Sequence, residues 1–96
     1  MPQVRTSEVS RQTLESKFQD EDIWGGIRSG RLSSVPAPGS VVPSHSWSNA
    51  TSKILQHYGP DGKHIATTHC VIDSDGWPVH WDAKDLIVDG IRLWRR

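Results

Sequence analysis

Three short turn sequences punctuate the second half of the chain: Gly59-Pro60-Asp61-Gly62, Asp73-Ser74-Asp75-Gly76 and Asp89-Gly90. Gly and Asp accept the left-handed backbone that tight hairpins demand, so such sequences between apolar runs mark antiparallel strand pairs. The runs between them fit. Residues 51–58 (TSKILQHY), 63–72 (KHIATTHCVI) and 77–82 (WPVHWD) read as strands. The segment DAKDLIVDG reads either as a strand leading into a hairpin or as a short helix stopped at Gly90; Ile87, Val88 and Ile91 favour the strand.

The first third has a different period. Ser7 or Ser10 can cap a helix whose Leu14 and Phe18 share one face at a spacing of four. A second short helix follows, with Ile23 and Ile27 four apart and Gly30 as its stop. The Gly25–Gly26 pair weakens it. Between the halves lies SSVPAPGSVVPSHS, residues 33–46, which reads as an ordered loop. The expectation is a single small α+β domain over 1–96. One or two N-terminal helices (1–32) and a Pro/Ser-rich loop (33–50) precede a C-terminal antiparallel β-meander of three to five strands (51–96), on which the helices pack.

Composition narrows the function classes. Hydrophobic residues make up 34% of the chain, so Trp24, Trp47, Trp77, Trp81 and Trp94 are the natural source of core area. Net charge is zero, with 11 basic and 11 acidic side chains. A DNA-binding surface usually shows a basic surplus, so DNA is not an expected partner. The polar start and the lack of a long apolar run point to a cytoplasmic protein with no membrane partner. The single cysteine, Cys70, excludes an intrachain disulfide.

Chemistry concentrates in GKHIATTHCVIDSDGWPVHWD, residues 62–82. If the turn is Asp73–Gly76, Ile72 faces Trp77 and His69 faces His80. Thr68, Cys70, Ile72, Trp77, Val79 and Trp81 then form an apolar face, with Cys70 as a small buried hydrophobe. The other face gathers Thr67, His69, Val71, Pro78, His80 and Asp82. Two imidazoles, a carboxylate and a hydroxyl on one patch suit general acid–base catalysis. Attack of an RNA 2′-hydroxyl on its own phosphodiester needs a base, an acid and a cation, with no cofactor and no metal. His69 and His80 are the candidate acid and base, Asp82 orients, and Thr67 with Lys63, Lys84 or Arg92 contacts the phosphate.

Competing readings use the same residues. His69, His80 and Asp82, with His64 or His57, could ligate zinc, although no named metal-binding spacing is present. The histidines could also be ordinary half-exposed sheet residues. A Ser–His–Asp triad drawing on Ser46, Ser48 or Ser52 lacks the G-x-S-x-G elbow. GPDGK is a turn and not a phosphate loop, and DSDG lacks the later ligands of a calcium loop. A rival from another class is a non-catalytic inhibitor or regulator that binds a protein partner through the linker and exposed Trp24 or Trp47. The order of elements is loosely similar to that of small bacterial ribonuclease toxins. That likeness is architectural and implies RNA cleavage as the activity to test. It assigns no residue, and the neutral charge departs from it.

Overall fold

A computed structural model of the chain describes residues 5–96. It has two helices and a seven-stranded, mostly antiparallel sheet, an α+β architecture. The elements are β1 (Arg5–Glu8), α1 (Arg11–Asp20), α2 (Ile23–Ser29), β2 (Ser33–Pro36), β3 (Val42–Pro43), β4 (Thr51–Tyr58), β5 (His64–Ile72), β6 (Pro78–Val88) and β7 (Ile91–Trp94). Sheet order is β1-β7-β6-β5-β4-β2, with β3 also paired to β4. No helix among the described residues is long and apolar enough to cross a membrane.

Ser10 caps α1, its hydroxyl accepting from Thr13 N at 3.1 Å. Leu14 and Phe18 are both fully buried, as their spacing predicts. They pack with Ile23, Leu32, Ala66, Ala83 and Leu86 into the core cluster between the helices and the sheet. The glycine pair in α2 has a packing reason. A Cβ on Gly26 would lie 2.6 Å from the Arg31 guanidinium and 3.1 Å from Leu32, so a larger residue would push the Arg31 side chain aside and crowd the buried Leu32.

The sheet is larger than the three to five strands expected, for two reasons. First, β1 precedes the helices and runs parallel to β7, with Arg5 beside Ile91 and Glu8 beside Trp94. Its four residues are all exposed, so no apolar alternation marks it in the sequence. Second, the segment expected as a loop supplies two short strands on the outer edge of β4. Their prolines, Pro36 and Pro43, close β2 and β3, where an edge strand tolerates a missing N–H. Ser40 bridges the gap between them. Its hydroxyl accepts from Ile54 N at 3.2 Å in place of a strand partner and donates to Ala37 O at 2.7 Å, while Ala37 N donates to Ile54 O at 2.8 Å. The C-terminal segment settles as strand: β6 continues to Val88, and Asp89 (φ 51°) and Gly90 (φ 76°) make the left-handed two-residue turn.

The β5–β6 hairpin corrects the expected register. Asp73, not Ile72, closes the turn: its N–H donates to Trp77 O at 2.9 Å, and Gly76 takes the left-handed position (φ 88°). A bulge at Val79 adds a second one-residue step. Together they move the pairing by two, so His69 faces Asp82 and His80 faces Val71. A two-residue shift preserves which face each side chain occupies. Thr68, Cys70 and Trp81 therefore stay on the helix-covered face, with Cys70 buried. Trp77 and Val79, expected in the core, are exposed at 72% and 41%. They lie at the turn end: Trp77 is on the turn side of the bulge, is shifted by one residue only to sit opposite Asp73, and so leaves the Ile72 face.

One histidine belongs to the helix-covered face. His57 is fully buried, with Nδ1 2.9 Å from Ser34 Oγ and Nε2 2.7 Å from Thr68 Oγ1, which also accepts from Trp81 Nε1 at 2.9 Å. A neutral ring satisfies this network, donating from Nδ1 and accepting at Nε2. Burial, followed by the charge of His64, lowers its pKa to about 4. The unfolded chain protonates His57 near its ordinary value of 6.5 and the folded chain only near 4. Stability contributed by this group is thus present above pH 6.5 and lost as pH falls towards 4. Urea unfolding at pH 7 and pH 4.5 is expected to show a loss of about 2 kcal/mol from this residue. A His57→Asn variant should show a correspondingly flatter pH dependence over the same interval.

Candidate active site

Alternation along β5 and β6 turns His69, His80 and Asp82 to the face opposite the helices. Asp82 sits at the centre. Its side chain is 4% exposed, yet it touches three partners. Oδ1 lies 3.3 Å from His69 Nδ1 and 3.0 Å from His80 Nε2. Oδ2 pairs with the Arg95 guanidinium. Arg95 is itself fixed, donating from Nε to Ala83 O at 2.8 Å. A buried carboxylate needs such partners, because desolvation otherwise drives it to protonate.

The two imidazoles stand edge to face, with ring centroids 5.7 Å apart. On its far side His69 Nε2 is 2.7 Å from Ser52 Oγ, contributed by β4. With Nδ1–H donating to Asp82, His69 Nε2 accepts from the Ser52 hydroxyl and is the basic nitrogen. Trp47, from the linker, stacks on His80 at 5.5 Å with an interplanar angle of 24°. The helices do not cover this face: the His69 and His80 side chains are 24% and 32% exposed. The His69 pKa is lowered, first by burial and then by Lys84, His80 and Arg95.

The other sequence candidates divide. Lys84, at the second bulge of β6, is close enough to act on His69. Lys63 is exposed in the 59–63 turn. Arg92 is engaged elsewhere, donating from Nε and from its guanidinium to Asp85 Oδ2 at 3.0 and 2.8 Å. Asp85 is buried, and its Oδ1 has no hydrogen-bond partner among the described residues. Thr67 faces Asp85, not Asp82, and its hydroxyl lies 3.0 Å from His64 Nε2. The two-residue register shift already moves Thr67 away from Asp82, and the Lys84 bulge adds a third step. His57 is on the opposite face and His64 turns to Thr67, so neither joins the His69–His80 cluster. Trp24 is half-buried against Phe18 and Trp81 and is part of the packing. Trp47 is 40% exposed.

Two site residues escape sequence reasoning about the hairpin. Arg95 reaches Asp82 because β7 returns beside β6, and only the basic cluster Arg92, Arg95 and Arg96 hints at it. Ser52 reaches His69 diagonally across the β4–β5 ladder, where Ser52 faces Val71 and Ile54 faces His69. Compared with known protein families, curated proteins and solved structures, the chain matches none.

The Asp82–Arg95 pair is the stability-critical contact of the site. Asp82→Ala leaves a guanidinium whose side chain is only 13% exposed without its counter-charge. Its expected cost is roughly 3 kcal/mol. Asp82→Ala combined with Arg95→Met should recover much of that loss, as read from urea midpoints.

Proposed function

We propose that the protein is a small metal-independent endoribonuclease acting in the cytoplasm as a single domain. The observation that carries this reading is the sharing of one buried carboxylate by two part-exposed imidazoles, with Lys84 and Arg95 beside them. A base, an acid and cations are the set that phosphodiester transesterification requires.

The roles follow from the hydrogen bonds. Asp82 accepts from His69 Nδ1, which leaves Nε2 free of a proton and aimed at a hydroxyl. The substrate 2′-hydroxyl takes the place of Ser52 and gives its proton to Nε2. The 2′-oxygen then bonds to phosphorus as the bond to the 5′-oxygen breaks. Protonated His80, with Nε2 on Asp82, donates from Nδ1 to that leaving oxygen. Products are a 2′,3′-cyclic phosphate and a 5′-hydroxyl end, with no net proton consumed. Lys84 and Arg95 favour the negative charge that builds on the phosphate. Trp47 offers a face for a base beside His80. Toxin-like action would follow from such cleavage.

A second reading rests on a separate observation. Trp77 and Val79 at the hairpin tip are exposed, and Val41 and Val42 in the linker are exposed at 55% and 45%. These residues suit a protein partner in place of, or in addition to, RNA.

Cleavage of total RNA in EDTA across pH 5–8 tests the nuclease. Wild type is expected to cleave, and His69→Ala and His80→Ala each to lose about 10²–10⁴ in rate. No cleavage by wild type at high protein concentration would refute it. Trp77→Ala should leave cleavage intact, since the hairpin tip plays no part in the chemistry.

A further inference from the structure

The donor atoms turned towards each other in the cluster are spaced as metal ligands are. His69 Nδ1, His80 Nε2 and an Asp82 carboxylate oxygen all lie within 4.8 Å of one another. The two nitrogen-to-oxygen separations are 3.3 and 3.0 Å. Bonds of 2.0–2.1 Å in a tetrahedral zinc site put neighbouring ligand atoms about 3.3 Å apart. Small side-chain movements therefore suffice to close three ligands on one ion, leaving a fourth position for water. Two imidazoles and one carboxylate suit zinc, while magnesium and calcium prefer all-oxygen sites.

The far sides of two of the ligands are already held. His69 Nε2 meets Ser52 Oγ, and Asp82 Oδ2 meets Arg95. Such outer contacts orient metal ligands and are worth about tenfold to a hundredfold in affinity. Arg95 and Lys84 act in the other direction, since a divalent cation must approach two positive charges.

We propose that His69, His80 and Asp82 form a Zn²⁺ site that switches the acid–base pair off. The mechanism is a change of tautomer. Without metal, Nδ1 of His69 carries the proton and Nε2 is the base. Zinc on Nδ1 displaces that proton and Nε2 takes one up, becoming a donor to Ser52 Oγ. A ring metallated at Nδ1 and protonated at Nε2 has no lone pair left for a substrate hydroxyl. His80, bound through Nε2, likewise gives up its extra proton to solvent and can no longer act as the strong acid. The inhibition rests on the nuclease reading, whereas the binding does not.

Titration of the EDTA-treated, dialysed protein with ZnCl₂ in a calorimeter reads the site directly. One equivalent is expected to bind. His69→Gln and His80→Gln keep side-chain bulk, and each should weaken binding about tenfold or more. His45→Ala, on the exposed linker, should not. Co²⁺ should report visible ligand-field bands that both Gln variants lose. Near-UV circular dichroism checks that each variant is folded. Absence of binding by wild type, or equal binding by folded wild type and both Gln variants, overturns the site. If RNA is cleaved, zinc should suppress cleavage and EDTA restore it; activation by zinc overturns the switch. Zinc binding without RNA cleavage retains the site and removes the nuclease, while cleavage without binding does the reverse.

Discussion

Asp82 is the side chain on which the open face of the sheet depends. One carboxylate, almost removed from water, holds two imidazoles and a guanidinium. Each partner comes from a different stretch of chain: His69 from β5, His80 from the bulged start of β6, and Arg95 from just beyond β7. Burial makes each of these contacts stronger and makes the loss of any one more costly. The carboxylate thus links a packing requirement to a chemical arrangement. It fixes the tautomer of His69 and sets which nitrogen of His80 faces outward. Around it, Lys84 and Arg95 bias the patch towards anions even though the whole chain is neutral.

The same strands carry histidines with opposite duties. His57 and His69 both meet a hydroxyl across the β4–β5 ladder, at the same distance of 2.7 Å. His57 points under the helices, where its neutral ring completes a closed set of bonds with Ser34, Thr68 and, through Thr68, Trp81. His69 points to the open side and keeps contact with solvent. The alternation of strand side chains makes the division, with residue type playing no part in it.

Much of this was legible in the sequence, and the failures have identifiable causes. The helix face of Leu14 and Phe18, the strands β4 to β7, their turns and the α+β class all follow from local pattern. So does the grouping of His69, His80 and Asp82 on one face. Their pairing does not, because a three-residue turn and a bulge at Val79 are settled by tertiary packing. That the faces survived is a matter of parity: two single-residue steps cancel. A single step would have exposed Trp81 and buried His80. Thr67 lost Asp82 as its partner to those same two steps, and the bulge at Lys84 then set it opposite Asp85. The strand β1 is invisible locally, since its partner lies more than 80 residues away in sequence. Arg95 and Ser52 are likewise products of strand neighbours, which no spacing within the hairpin records.

The split edge on β4 has a bearing on how the protein behaves in concentrated solution. An unprotected eight-residue strand is a template on which another chain can add itself. Here that edge is occupied by two fragments of four and two residues, each ended by a proline. Ser40 plugs the interval between them with a side-chain hydroxyl. The Pro/Ser-rich segment is therefore a guard against edge-to-edge aggregation as well as a connection. Its prolines deny a continuous row of donors to an incoming strand. Substitutions that regularise this segment would extend the sheet, and in doing so would remove the protein's own barrier to self-association.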